Sequence, residues 1–187
     1  GIAYEHPVWL RDAAGSVGLE EAWKRAMELG ELLDGSSETP LLDVIVAVFH
    51  EQEWELDRPN EDATIVHAPV ASNHGGFDLY VRTDEDEHLV TVFASLPSDG
   101  SEVYAREVLE LAARLNLTIA VGSFEADADN GLLSFKNAID VTGDRLSVPL
   151  LRQLIGTVLI SADRPQPAYV GVISGTMSVL DAVASLG

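Results

Sequence analysis

The side chains that could do chemistry in this sequence are a few histidines, several carboxylates and one Asn-Gly pair. His67, His74 and His88 fall in one stretch that also carries Asp84 and Glu87. If neighbouring hairpins brought their ends together, these imidazoles and carboxylates could hold a transition metal or support hydrolysis. No two of the histidines have the helical spacing of a ligand pair, and isolated exposed histidines are the commoner arrangement. The chain has no cysteine to serve as nucleophile, no G-x-S-x-G elbow, and no Walker or Rossmann glycine pattern. The expectation is a non-enzyme with no catalytic, cofactor or metal site. A metal-binding protein or hydrolase using His67, His74 and His88 is the alternative.

A second candidate is "FEADADNGLLSFKNAI", Phe124 to Ile139. Its acidic spacing resembles a calcium loop, but an EF-hand needs glycine at the sixth position. With Gly131 there, the first and third positions are Ala126 and Ala128, which offer no side-chain oxygen. Asn130-Gly131 is instead the preferred pair for a two-residue type I′ turn. That turn predicts Ala128 opposite Leu133, Ala126 opposite Phe135 and Glu125 opposite Lys136, one apolar face and one charged face. Asp127 and Asp129 are then solvated strand-end residues.

Charge narrows the partners. The sequence has 31 acidic against 11 basic residues, a formal net charge of −20. Such a field repels phosphate backbones and anionic lipid. Nucleic acid and membrane insertion are therefore excluded as expectations, and a basic or amphipathic protein or peptide partner is favoured. The longest apolar run, Leu41 to Phe49, contains Asp43 and is far shorter than the roughly 20 residues a membrane helix needs. Without a secretory-type opening or cysteines, the expected location is cytoplasmic.

The elements that would carry these residues follow from periodicity. "GSS" at 35–37 divides a leader, residues 1–37, from a main domain, residues 38–187. In the leader, Leu19, Ala22, Trp23, Ala26, Met27, Gly30 and Leu33 share one face of an amphipathic helix. Thr39 is a candidate N-cap, with Pro40 at the first helical position. The helix that follows is apolar on nearly every side, so Leu41, Val44, Ile45 and Val48 are candidates for an interface with the leader or a second subunit.

From Trp54 the period changes to two, giving four strands in hairpin order, among them Ile65 to Pro69, Phe77 to Val81 and Leu89 to Phe93. "SNHGG" and "DEDE" connect them as short turns, so pairing should be antiparallel. A helix then places Tyr104, Val108, Leu111, Ala112 and Leu115 on one face. After the Asn-Gly hairpin comes a helix capped by Ser147, which should break at "DRPQP" because Pro165 and Pro167 cannot donate hydrogen bonds. A short helix over about Met177 to Ala184 ends the chain. The order is α+β: helices packed on an antiparallel sheet in an α-β(4)-α-β(2)-α arrangement, with an added N-terminal helix.

Residues Arg114 to Arg164 resemble the YbjN-like family. The features are Asn116 ahead of a strand, Gly122-Ser-Phe-Glu, the acidic-glycine hairpin, Asp140-Val141, the Leu146-Ser147 helix start and Asp163-Arg164. The likeness extends more loosely back to Pro40, through "WEL" and "FDLYVRTDEDE". Pro165, Gln166 and Pro167 stand where members usually carry an aromatic-Leu-Pro. The resemblance implies a fold like that of type III secretion chaperones, a bacterial sensory transduction regulator, and a homodimer that binds a partner polypeptide. The reading is a non-catalytic, chaperone-like binding protein. A structural subunit of a larger assembly is a further alternative.

Overall fold

A computed structural model describes residues 40–51, 65–98 and 101–187. The leader helix, the linker, Thr39 and a strand beginning near Trp54 lie outside the described residues. Eleven elements follow in order: α1 (Leu41–Glu51), β1 (Ile65–Ser72), β2 (Gly75–Asp84), β3 (Leu89–Ser95), a 3-10 turn (Ser101–Tyr104), α2 (Ala105–Asn116), β4 (Ser123–Ala126), β5 (Leu133–Asp140), α3 (Val148–Asp163), α4 (Gln166–Ile173) and α5 (Val179–Ala184). The strands form one antiparallel sheet in the order β1-β2-β3-β5-β4. The fold is α+β, as the sequence pattern implies.

Alternation decides which face of the sheet is covered. Val66, Ala68, Leu79, Val81, Val90, Val92, Ala94, Leu133 and Phe135 point the same way and are buried with the apolar sides of the helices. Helix α3 lies against β3 and β5, α1 against β2, and α2 against β4. Each fully buried Val, Leu or Phe contributes about 1.5–3 kcal/mol relative to exposure, so this face supplies the main driving force for folding.

Helix ends are fixed by side chains near and far. Ser147 caps α3 by accepting from the Leu150 N–H, and Ser178 caps α5 through the Asp181 N–H. Helix α1 is capped from a distant turn: Glu85 accepts the Leu41 and Leu42 N–H groups at 3.0 Å each. A carboxylate at this end also matches the positive pole of the helix.

The β4–β5 connection differs from the two-residue turn that Asn130-Gly131 suggests. Ala126 pairs with Leu133, Phe124 with Phe135, and Ser123 with Lys136, a shift of two positions that leaves each residue on its expected face. Of the pair, Gly131 alone has positive φ, at 68°, whereas type I′ needs it at both positions. The loop 127–132 is built around Asp127. Its carboxylate accepts the Asp129 N–H at 2.8 Å and Asn130 Nδ2 at 2.7 Å, and its carbonyl accepts the Gly131 N–H at 2.8 Å. Buried Ser101 donates to the Asn130 carbonyl at 2.6 Å, and Tyr169 donates to that of Gly131. A Cβ on Gly131 would collide with the Ser101 carbonyl. Contacts from remote elements therefore override the local preference. Asp127 is an organiser of the loop as well as a solvated residue.

At "DRPQP" the helical path does break. Gln166 replaces the apolar residue of the family pattern and is almost wholly buried. It accepts from Ser72 Oγ at 3.2 Å and donates to the Gly76 carbonyl at 2.8 Å, pinning the β1–β2 hairpin to the start of α4. The flanking prolines sit at the entry to α4, where missing N–H groups are least costly.

Candidate functional site

The sheet face away from the core carries a row of aromatic rings whose alignment follows from turn lengths. The β1–β2 hairpin closes with Ser72 opposite Gly75, which sets His67 opposite Tyr80. In the β2–β3 pair Tyr80 faces Phe93, and across β3–β5 Phe93 faces Lys136. The rings stack: His67 and Tyr80 have centroids 4.7 Å apart, Tyr80 and Phe93 4.9 Å. Stacked pairs of this kind contribute about 0.5–1.5 kcal/mol beyond area burial. All three side chains remain partly exposed.

Carboxylates flank both ends of the row. Asp78 Oδ1 lies 2.8 Å from His67 Nε2, and Lys136 forms an ion pair with Glu125. Partial burial, and secondarily the Asp78 charge, push the Tyr80 phenol above its ordinary range. The row offers flat π surface with acidic rims, a setting that favours apolar and cationic side chains.

Among the described residues, the two outer strands of the sheet, β1 and β4, are less available than this face. Hydrogen-bonded pairs alternate along a hairpin, so with Ser72 and Gly75 closing β1–β2 the backbone of Pro69 points away from β2. Proline supplies no donor there. At the other edge the Phe124 N–H donates to Asn116 Oδ1 at 2.7 Å, and Asn116 Nδ2 donates to the Phe124 carbonyl at 3.0 Å. One amide side chain thus occupies the backbone groups a new strand would use. Gly122, with φ 76°, lets the chain enter β4 where a Cβ would come within 2.6 Å of Phe135 Cζ. These two contacts give Asn116 and Gly122 their physical roles.

The histidines do not gather. His67 belongs to the aromatic row. His74, in the β1–β2 turn, lies 3.2 Å from Asp163 at the end of α3. His88 lies beyond the opposite end of β2, in the next turn, with φ 51°. There it helps hold the Asp140 carboxyl below its usual range, after the larger effect of hydrogen bonds from Thr142. Asp84 accepts the Glu87 N–H at 3.1 Å and so serves its own turn. Among the described residues no group of three metal-capable side chains forms. The metal or hydrolase alternative loses its geometry, because a ten-residue strand separates the turns that would have to meet.

Leu41, Val44, Ile45 and Val48 are buried within the single chain, at 5%, 3%, 0% and 2% exposure. The half-buried positions of α1 are Leu42, Val46 and Ala47. Sequence reasoning did not single out Tyr80 and Phe93 as functional residues. A two-residue β1–β2 turn, combined with strict alternation, would have aligned them with His67.

The family model for YbjN, described as "Putative bacterial sensory transduction regulator", matches residues 41–169. A search of curated proteins gives no match. Among solved structures, the HopA1–SchA chaperone–effector complex contains a chain that is 16% identical, with TM-score 0.44, covering 71% of this chain and 91% of that one. The crystal structure of YbjN from E. coli is 15% identical, with TM-score 0.44, covering 66% of this chain and 91% of that one. No helix among the described residues is long and apolar enough to cross a membrane.

Proposed function

Because this chain belongs to the YbjN family, we propose that it is a non-catalytic, chaperone-like regulator that binds a partner polypeptide on the outer face of its sheet. It acts in this reading as a cytoplasmic homodimer. The observation that carries the proposal is the row His67, Tyr80 and Phe93, stacked and partly exposed between Asp78 and Glu125. A folded chain with a ready source of apolar burial has no folding reason to leave a row of three stacked rings partly exposed.

The partner's chemistry follows from charge. With a net charge of −20, acidic segments are repelled, and a basic amphipathic segment gains both steering and contact with the π faces. The obstructed edges favour docking across the face over strand addition.

A synthetic peptide alternating lysine and leucine with one tryptophan tests this, with a glutamate-for-lysine version as control. Calorimetry should show binding of the basic peptide that weakens with salt and falls about tenfold or more in Phe93→Ser, a loss within the range of an interface hot spot. Equal binding by wild type and Phe93→Ser would overturn the site. Chromatography with light scattering on the same samples reads the mass of the free protein, and a monomer at tens of micromolar would overturn the homodimer.

A further inference from the structure

The loop that seats Gly131 also holds a reactive sequence in an unreactive state. Asn130-Gly131 is the one Asn-Gly pair in the chain; the other asparagines precede Glu61, His74, Leu117 and Ala138. Glycine leaves its own amide nitrogen unhindered, so an Asn-Gly pair can attack itself. The Gly131 nitrogen bonds to Asn130 Cγ, the side-chain amide leaves as ammonia, and a succinimide closes. Water then opens the ring at either carbonyl, leaving aspartate or isoaspartate. The step needs no enzyme, oxidant or cofactor; it needs a free Gly131 N–H and a side chain able to swing onto it.

Neither is free in the folded loop. The Gly131 N–H donates to the Asp127 carbonyl at 2.8 Å, which opposes both its deprotonation and its approach to Cγ. Asn130 Nδ2 donates to Asp127 Oδ2 at 2.7 Å, and Asn130 Oδ1 accepts the Leu132 N–H at 2.8 Å. The side chain is tied at both ends. Ser101 holds the Asn130 carbonyl from behind. Yet Asn130 is exposed, so water and base reach it once these bonds open.

We propose that Asn130 is a latent self-modification site, guarded by Asp127, that converts to aspartate or isoaspartate only when the loop 127–132 opens. The conversion is one-way. Isoaspartate adds a main-chain carbon beside Gly131, where even a single added Cβ would collide with the Ser101 carbonyl, so the closed loop cannot re-form around it. Its loss would also break the Tyr169 hydrogen bond that ties α4 to this corner. The rate therefore reports the population of the open loop when opening and closing are fast relative to the chemistry.

The test incubates the whole chain at mildly alkaline pH and follows the Asn130 peptide by mass spectrometry, with isoaspartate separated from aspartate by chromatography. Wild type, the same chain in denaturant, Asp127→Ala and Asp127→Asn are compared, and circular dichroism checks that each variant is folded. Denatured protein should convert at Asn130 well ahead of its other asparagines, and folded wild type at least tenfold more slowly. Folded Asp127→Ala, which loses the carboxylate that holds Asn130 Nδ2 and the Asp129 N–H, should convert several-fold faster than folded wild type, and Asp127→Asn, which keeps one side-chain oxygen acceptor, should fall between. Equal rates in folded and denatured wild type would overturn the guard. So would an Asp127→Ala chain that is folded and no faster than wild type. If Asp127→Ala fails to fold, Asp127→Asn decides by the same comparison.

Discussion

The two faces of one sheet solve different problems with adjacent residues. On the inner face Leu79, Val81 and Val92 are wholly removed from water and packed with the helices. One residue along, Tyr80 and Phe93 are held by stacking and by neighbours such as Asp78, with part of each ring exposed. The inner face is mostly apolar and interlocked, with Thr83 the one buried hydroxyl among its described residues, so its identity is set largely by volume. The outer face mixes rings with both signs of charge, so its identity is set by what it presents. Stability resides mainly on one side, and the proposed binding face is the other.

The largest expected effect comes from separating the faces along a single strand. Leu79→Asn buries an unpaired amide and leaves a cavity, and should cost about 3–5 kcal/mol. Tyr80→Asn, its direct neighbour, loses two ring contacts in a half-exposed setting and should cost about 1–2 kcal/mol. Urea melts of both variants check this. Similar losses would mean that the outer row is core, and would remove the basis for a binding face.

A smaller effect is expected at the β4 edge. Asn116→Leu frees the Phe124 N–H and carbonyl, which should cost about 1–2 kcal/mol because water reaches an edge and softens the loss. The more telling readout is association. An unblocked edge should pair with another copy, so light scattering should show a concentration-dependent increase in mass that wild type lacks. An unchanged mass would show that the shortness of β4 already protects this edge.

How much of this was legible in the sequence depends on the range of the forces involved. Alternation from Ile65 to Phe93 is a local signal, and it gave β1, β2 and β3 with their antiparallel pairing. Ser147 as a cap and the break at Pro165 are equally local. The loop at Asn130 was misjudged because Ser101 and Tyr169 reach it from remote elements. Glu85, which accepts the Leu41 N–H, stands 44 residues away from it, beyond the reach of any local signal. For the site, residue type drew attention to the histidines, while register brought only His67 into the row. Tyr80 and Phe93 carried no motif; their meaning comes from standing beside one another.

The smallest predicted effect examines the chemistry of the row itself. Burial first and the Asp78 carboxylate second raise the Tyr80 phenol above its ordinary range, because both disfavour a phenolate. A pKa raised in the folded state means that the folded protein favours the neutral ring. This leaves stability unaffected below the unfolded value of about 10 and erodes it as pH rises through the folded one. An ultraviolet difference titration of wild type against Tyr80→Phe isolates this phenol from the other tyrosines. Asp78→Asn should move its midpoint down by removing the charge, yet leave it above an ordinary phenol because the stacking rings still exclude water. A midpoint unmoved by Asp78→Asn would make desolvation the whole cause. A midpoint returned to the ordinary value would make the carboxylate dominant, and would show the row to be more open to solvent than its 4.7 and 4.9 Å stacking distances imply.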